Sequence, residues 1–292
     1  MRVLLTNDDG VRAPGLAHLA RALQGRGWDI TIAAPLTEAS GAGAGVGPVH
    51  TMGEGVPVEQ LELPGLEGIP TFALAALPAL IVISGCLGAF GPPPDIVVAG
   101  INPGRNVGRA TLHSGTVGAA LTAVHFDKRG LAMSIQSGPF SSYESAGESP
   151  IHFATAAAVG AALAEHIVLA PARTVINCNV PNLPVGALRG ICSAHLARSG
   201  LIRSAHLDAI SATRMQLELG FDHPREGEVT DEALTALGYV TVTPLASVTE
   251  DPRLDVSCSL ERTIAETSAA LGIADLTRDG RNVRSRGLGY RP

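Results

Sequence analysis

Two adjacent carboxylates, Asp8 and Asp9, stand in the opening string MRVLLTNDDG, where a short apolar run ends. Neighbouring carboxylates repel one another unless a proton or a cation is shared between them, so the pair is a candidate site for a hard divalent metal. The same string also fits an Asx-type turn with both acids solvated. Two further stretches carry anion-binding chemistry. Ser40-Gly41-Ala42-Gly43-Ala44-Gly45 is a loop of small residues whose backbone can approach an anion closely, and His113-Ser114-Gly115-Thr116 precedes an apolar helical segment. The first N–H groups of such a helix, with the positive end of its dipole, suit a phosphate.

The elements that must position these residues follow from the patterning. Val3, Leu4 and Leu5 form a charge-free run that reads as a buried strand, closed by a turn at Asn7 and Gly10. Pro14 opens a helix whose Leu16, Leu19, Ala20 and Leu23 share one face before Gly25 and Gly27 stop it. Asp29 to Ala34 is a second strand ending at Pro35, residues 49 to 64 read as a weak hairpin, and residues 78 to 90 as a buried helix. A strand over Asp95 to Ala99 leads through Gly100-Ile101-Asn102-Pro103-Gly104-Arg105-Asn106 toward a helix over Val117 to Val124. Residues 152 to 166 read as a helix and Thr174 to Val180 as a strand; residues 190 to 245 read as β-rich, with a strand over Gly238 to Pro244, and 258 to 271 as a helix.

This alternation predicts an α/β protein with a Rossmann-like, doubly wound, mostly parallel sheet and a smaller β-rich C-terminal lobe or arm. The expected division is a metal- and phosphate-binding core over 1–190, an arm over 191–276 used in oligomerisation, and a flexible basic tail over 277–292 carrying Arg278, Arg281, Arg284, Arg286 and Arg291. Asp8/Asp9, Ser40 and Asn102 each follow a predicted parallel strand. In such a sheet they therefore share the edge where ligands bind.

Composition excludes several classes. The chain has 292 residues, 46% of them hydrophobic and 16% charged, enough for a large core. A net charge of −6 argues against a general nucleic-acid coat. The cysteines, Cys86, Cys178, Cys192 and Cys258, form no CxxC pair, so neither a zinc knuckle nor a disulfide framework is indicated and a cytoplasmic location is expected. No signal peptide is read before the first strand. Gly68 to Pro94 lacks charge, yet Pro70, Pro78, Gly85, Gly88 and the run Pro92-Pro93-Pro94 favour a buried helix over a membrane span.

The strings NDDGVRAPG, AP…ASG around Ser40, PDIVVAGINPGRNVG, SGTVGAA, INCNVPNLP and ALGYVTVTPL, in this order, resemble the SurE (survival protein E) family of metal-dependent 5′/3′-nucleotidases and phosphatases. The resemblance runs from residue 1 to about 245. It implies one divalent metal ion per subunit, held by Asp8, Asp9, Ser40 and Asn102, a set of hard oxygens suited to magnesium or manganese. The implied activity is hydrolysis of a phosphomonoester, a nucleoside monophosphate or a related phosphorylated metabolite, by metal-assisted attack of water, with Asp8 or Asp9 taking its proton. Gly41, Asn106, Ser114, Gly115 and Thr116 are the phosphate-binding candidates. Arg105 is a candidate for added charge; Arg12 and His113 lie close to the motifs, with His113 a candidate general acid. The resemblance also implies a homodimer or homotetramer.

The chain departs from the family pattern. Where an Arg-Asn-Arg-Ser-Gly-type loop is usual, it has Thr37-Glu38-Ala39-Ser40-Gly41, and where Gly-Thr-Pro-x-Asp-Cys is usual, Ala76-Leu77-Pro78-Ala79-Leu80-Ile81. Ala99 replaces a serine before GIN, and His113 a tyrosine before SGT. The rival reading is a non-catalytic nucleotide- or metal-binding protein on the same scaffold. A dinucleotide-dependent oxidoreductase is disfavoured, since an acidic pair, not GxGxxG, follows the first strand.

Overall fold

The computed structural model describes residues 1–47, 53, 55–137, 150–198, 202–207, 215–219, 229–248, 266, 269 and 270. Within it the chain divides into two compact units, Met1–Ser247 and Val248–Pro292. The predicted tail over 277–292, and all but Glu266, Ala269 and Ala270 of the predicted helix over 258–271, lie outside the described residues; those three are helical.

The first unit is built on a nine-stranded sheet. In chain order its first strands are β1 (Arg2–Thr6), β2 (Asp29–Pro35), β3 (Val58–Gln60), β4 (Thr71–Leu74) and β5 (Ile96–Pro103). They are followed by β6 (Arg129–Ile135), β7 (Val175–Val180), β8 (Ile191–Ser193) and β11 (Val240–Leu245), while β9 (Ile202–Leu207) and β10 (Met215–Leu219) form a separate antiparallel ribbon. The order across the sheet is β3-β4-β2-β1-β5-β6-β7-β11-β8. Pairing is parallel throughout the middle and antiparallel only at β3–β4 and β7–β11. The doubly wound parallel sheet expected from the alternation of elements is thus the architecture found.

Helices cover both faces because the central strands are apolar on both. Val3 and Leu5 of β1 belong to one core with Leu16, Leu19 and Leu23 of α1 (Pro14–Gln24) and Ala156, Ala157 and Ala164 of α4 (Phe153–Ile167). Leu4, between them, points the other way. It packs with Ile81 and Val82 of α2 (Pro78–Cys86) and Ala119 of α3 (Gly115–Thr122). Truncating a fully buried leucine such as Leu5 in a core of this kind costs about 2–5 kcal/mol.

Several expectations are corrected. The charge-free stretch from Gly68 to Pro94 resolves into β4, the nine-residue α2 and turns, so the helix expected over 78–90 ends at Cys86. Among the described residues, no helix is long and apolar enough to cross a membrane. The hairpin expected within 49–64 is not seen among the described residues. Its described strand, β3, pairs instead with the later β4, Val58 opposite Leu74, and residues 48–52 and 54 lie outside the described residues. All of β3 is exposed, so no buried face marked its register in the sequence. The stretch read as β-rich also contains a short helix, α5 (Asp231–Ala236), capped by the Thr230 hydroxyl, and β8 and β11 from that stretch pair within the main sheet.

Candidate functional site

The sheet order reverses direction at β1. From it β2 and β4 run outward on one side, and β5, β6 and β7 on the other. The crevice beyond the carboxyl ends of β1 and β5 is therefore the topological switch point where open α/β sheets bind ligands. Asp8 and Asp9 leave β1 there, two and three residues past Thr6, which pairs with Ala99 of β5.

The acid turn is braced on every side. Asn7 donates its side-chain amide to the Gly10 carbonyl at 2.9 Å, and Gly10, at φ +101°, takes a conformation that side chains rarely adopt. Val11 N–H donates to the Pro35 carbonyl at 2.9 Å, tying the turn to the end of β2. Asp8 is 3% exposed and accepts a short hydrogen bond from the Thr116 hydroxyl in the first turn of α3. Next to it, Gly115 leaves no room for a side chain. An added Cβ would lie 2.8 Å from both Cβ and Oδ2 of Asp8. Burial pushes the Asp8 carboxyl above its ordinary value, partly offset by the Thr116 hydroxyl and the Thr116 and Gly115 N–H groups. Asp9 is raised to about 7 by burial, then by the charges of Asp8 and Glu38, and its buried Oδ2 has no hydrogen-bond partner.

The loop after β2 folds against this turn. Ala39, next to Ser40 in the chain, donates its N–H to the Asp8 carbonyl at 2.7 Å, and the exposed Ser40 hydroxyl donates to Glu38 Oε1 at 2.8 Å. Gly41 is exposed, with open space around its α-carbon. The later glycines have a packing role that the sequence did not separate from anion binding. Gly43 N–H donates to the His113 carbonyl at 3.1 Å, and a side chain at Gly118 of α3 would strike the Gly43 carbonyl.

On the other side of β1, β5 bulges: Ala99 pairs with Ala132 but Asn102 with Ser134, so β5 carries one extra residue. A bulge re-aims the side chains beyond it. Asn102 is half-buried and donates its side-chain amide to the Gly104 carbonyl at 2.7 Å, leaving its amide oxygen for another partner. Asn106 is held by a network that sequence reasoning missed. Its N–H donates to Asn179 Oδ1 at 2.8 Å, its side chain donates to Ser134 Oγ at 2.9 Å, and its carbonyl accepts from the amides of Asn177 and Asn179 at 2.8 and 3.0 Å. The signal available was the alternation of Asn177 and Asn179 in INCNVP, polar residues on one face of an otherwise apolar strand.

Ser114 caps α3, its hydroxyl oxygen accepting from Val117 N–H at 3.1 Å. Arg105 faces Glu232 and Asp231 at the start of α5, and burial lowers its pKa against the opposing pull of those acids. Asp231, fully buried, accepts from Gly108 N–H at 3.0 Å and Ala197 N–H at 2.9 Å, and burial raises its pKa. Arg12 and His113 are exposed.

The SurE family profile, described as survival protein SurE, matches residues 3–202. The 5′-nucleotidase SurE of Aeromonas hydrophila is 34% identical over 251 residues, covering 84% of this chain and 92% of that protein. The 5′/3′-nucleotidase SurE of Edwardsiella ictaluri is 34% identical over 255 residues, covering 84% of this chain and 89% of that protein. The crystal structure of the SurE protein from Aquifex aeolicus superposes with a TM-score of 0.70 at 25% identity, covering 90% of this chain and 99% of that one. With a profile that spans most of the chain, close relatives matched nearly end to end, and the same sheet, this chain belongs to the SurE family.

Proposed function

We propose that the chain is a phosphoric monoester hydrolase of the 5′-nucleotidase kind, acting on nucleoside monophosphates or a related phosphorylated metabolite with one divalent cation per subunit. The observation that carries the reading is the acid pair at the switch point, one member presenting a buried oxygen without a partner. Such an oxygen fits a cation better than it fits any protein group nearby. Among the described residues no three His, Cys, Asp or Glu side chains gather to hold a metal, so the remaining ligands would be neutral oxygens. Ser40 and Asn102 supply a hydroxyl and an amide carbonyl, and with Asp8 and Asp9 they make an all-oxygen set that suits Mg²⁺ or Mn²⁺.

A cation bound there supplies positive charge against the phosphoryl oxygens and acidifies nearby water. The chain's own residues do the rest. The first-turn N–H groups of α3 at Gly115 and Thr116, left without an intrahelical acceptor, are spent on the Asp8 carboxylate, so they hold that ligand in place and a phosphate would have to share them. Ser114 keeps its hydroxyl hydrogen, and Asn106 a second amide hydrogen, for a phosphate oxygen; Gly41 offers open backbone. Asp8 or Asp9 accepts the proton of the attacking water. Arg105 feels the charges of Glu232 and Asp231, which compete with a phosphate for it. A homo-oligomer and a cytoplasmic location belong to the same proposal. The second rests on scattered cysteines, of which Cys86, Cys178 and Cys192 are free thiols, while Cys258 lies outside the described residues.

The test is turnover of p-nitrophenyl phosphate and a panel of nucleoside monophosphates with Mg²⁺ or Mn²⁺. Activity abolished by EDTA and restored by excess metal is the expected result. Tight metal binding without turnover of any phosphoester would replace the hydrolase with a binding protein.

A further inference from the structure

Ser40 is the one proposed ligand that comes from an exposed loop, and its hydroxyl hydrogen already has an acceptor. It donates to Glu38 Oε1 at 2.8 Å. A hydroxyl with its hydrogen committed to a carboxylate presents only lone pairs elsewhere and is made more basic by that bond, the usual way in which an outer carboxylate tunes a ligand. Glu38 also stands in a stretch where the family pattern carries basic residues, and its charge acts on Asp9. We infer that Glu38 is a positioning residue for the cation: it orients the Ser40 hydroxyl as a ligand through the Ser40–Glu38 hydrogen bond. The inference rests on the proposed metal set.

Calorimetric titration with Mn²⁺, needing no turnover, tests this. Glu38→Ala and Ser40→Ala each weaken Mn²⁺ binding by about tenfold or more, and the double variant binds no worse than Ser40→Ala alone. Glu38→Gln, which keeps an acceptor for the hydroxyl, binds more tightly than Glu38→Ala. Unchanged affinity in Glu38→Ala overturns the inference, as do losses that add in the double variant, which would mean that Glu38 acts by charge alone. If the unsubstituted chain takes up no Mn²⁺, the metal reading itself fails and this inference falls with it.

Discussion

The turn Asn7–Gly10 and the loop 37–41 both contribute residues to the proposed site, but they are held in different ways. The turn is buried, tied to β2 through Val11 and pressed by Gly115 and Thr116 of α3, so Asp8 has one position open to it. The loop is largely exposed, anchored by the Ala39 bond to the Asp8 carbonyl and by a local hydrogen bond between Ser40 and Glu38. One half of the site is fixed by packing, the other by a few polar contacts. Substitutions in the first half should therefore cost stability and activity together, and those in the second mainly metal affinity.

The largest effect is expected from Asp8→Asn. Loss of one carboxylate from the acid pair lowers kcat/KM for p-nitrophenyl phosphate by on the order of 10³-fold, and excess Mn²⁺ does not restore it.

Acidity separates the halves next. The Asp9 pKa rises on folding from the ordinary 3.8 to about 7, so without metal the folded state holds its proton more tightly than the unfolded chain. Stability is then greatest below pH 4 from this group and is lost as pH rises toward 7, by on the order of 4 kcal/mol at most. Melting temperatures in EDTA should show that slope, and Asp9→Asn should flatten it. A metal-free melting temperature that rises over the same interval would contradict the assignment of burial and repulsion at Asp9.

Paired glycine substitutions sharpen the contrast. Gly115→Ala drives a methyl into Asp8 and should lower activity by about 100-fold while costing roughly 1–3 kcal/mol. Gly41→Ala meets nothing, so its cost is only the backbone strain of a φ of +79°, about 1 kcal/mol. Equal effects at the two positions, read from thermal melts and kcat/KM, would erase the distinction. Between the two lies Thr116→Val, which removes the hydroxyl bonded to Asp8 and should cost about 1–2 kcal/mol and lower Mn²⁺ affinity a few-fold.

Legibility in the sequence followed burial. The long apolar runs marked β1, β2, β5 and β7, and Pro14 marked the start of α1, because helix starts and buried strands leave local signals; the helix expected over Val117 to Val124 begins two residues earlier, at Gly115, behind the Ser114 cap. The central strand β6 was missed. Its sequence RGLAMSI contains glycine, alanine and methionine in place of β-branched residues, and Gly130 is there because a side chain would strike the Ala120 carbonyl of α3. The partner of β3 was missed as well, since an exposed three-residue edge strand carries no register of its own. In the site, the acid pair stood out as adjacent like charges. The Asn177, Asn179 and Ser134 cradle around Asn106, and the Asp231 contacts with Gly108 and Ala197, join residues far apart in the chain and had no local mark.

What the residues alone determined is the chemistry on offer: two neighbouring carboxylates at the end of an apolar run, hard neutral oxygens after two further strands, and small polar residues ahead of an apolar helix. Which of these face one another was decided only by the folded sheet. The reversal of strand order at β1, the extra residue in β5 and the pressure of α3 on Asp8 arise from long-range pairing and close packing. Those forces act between segments that no stretch of sequence contains together.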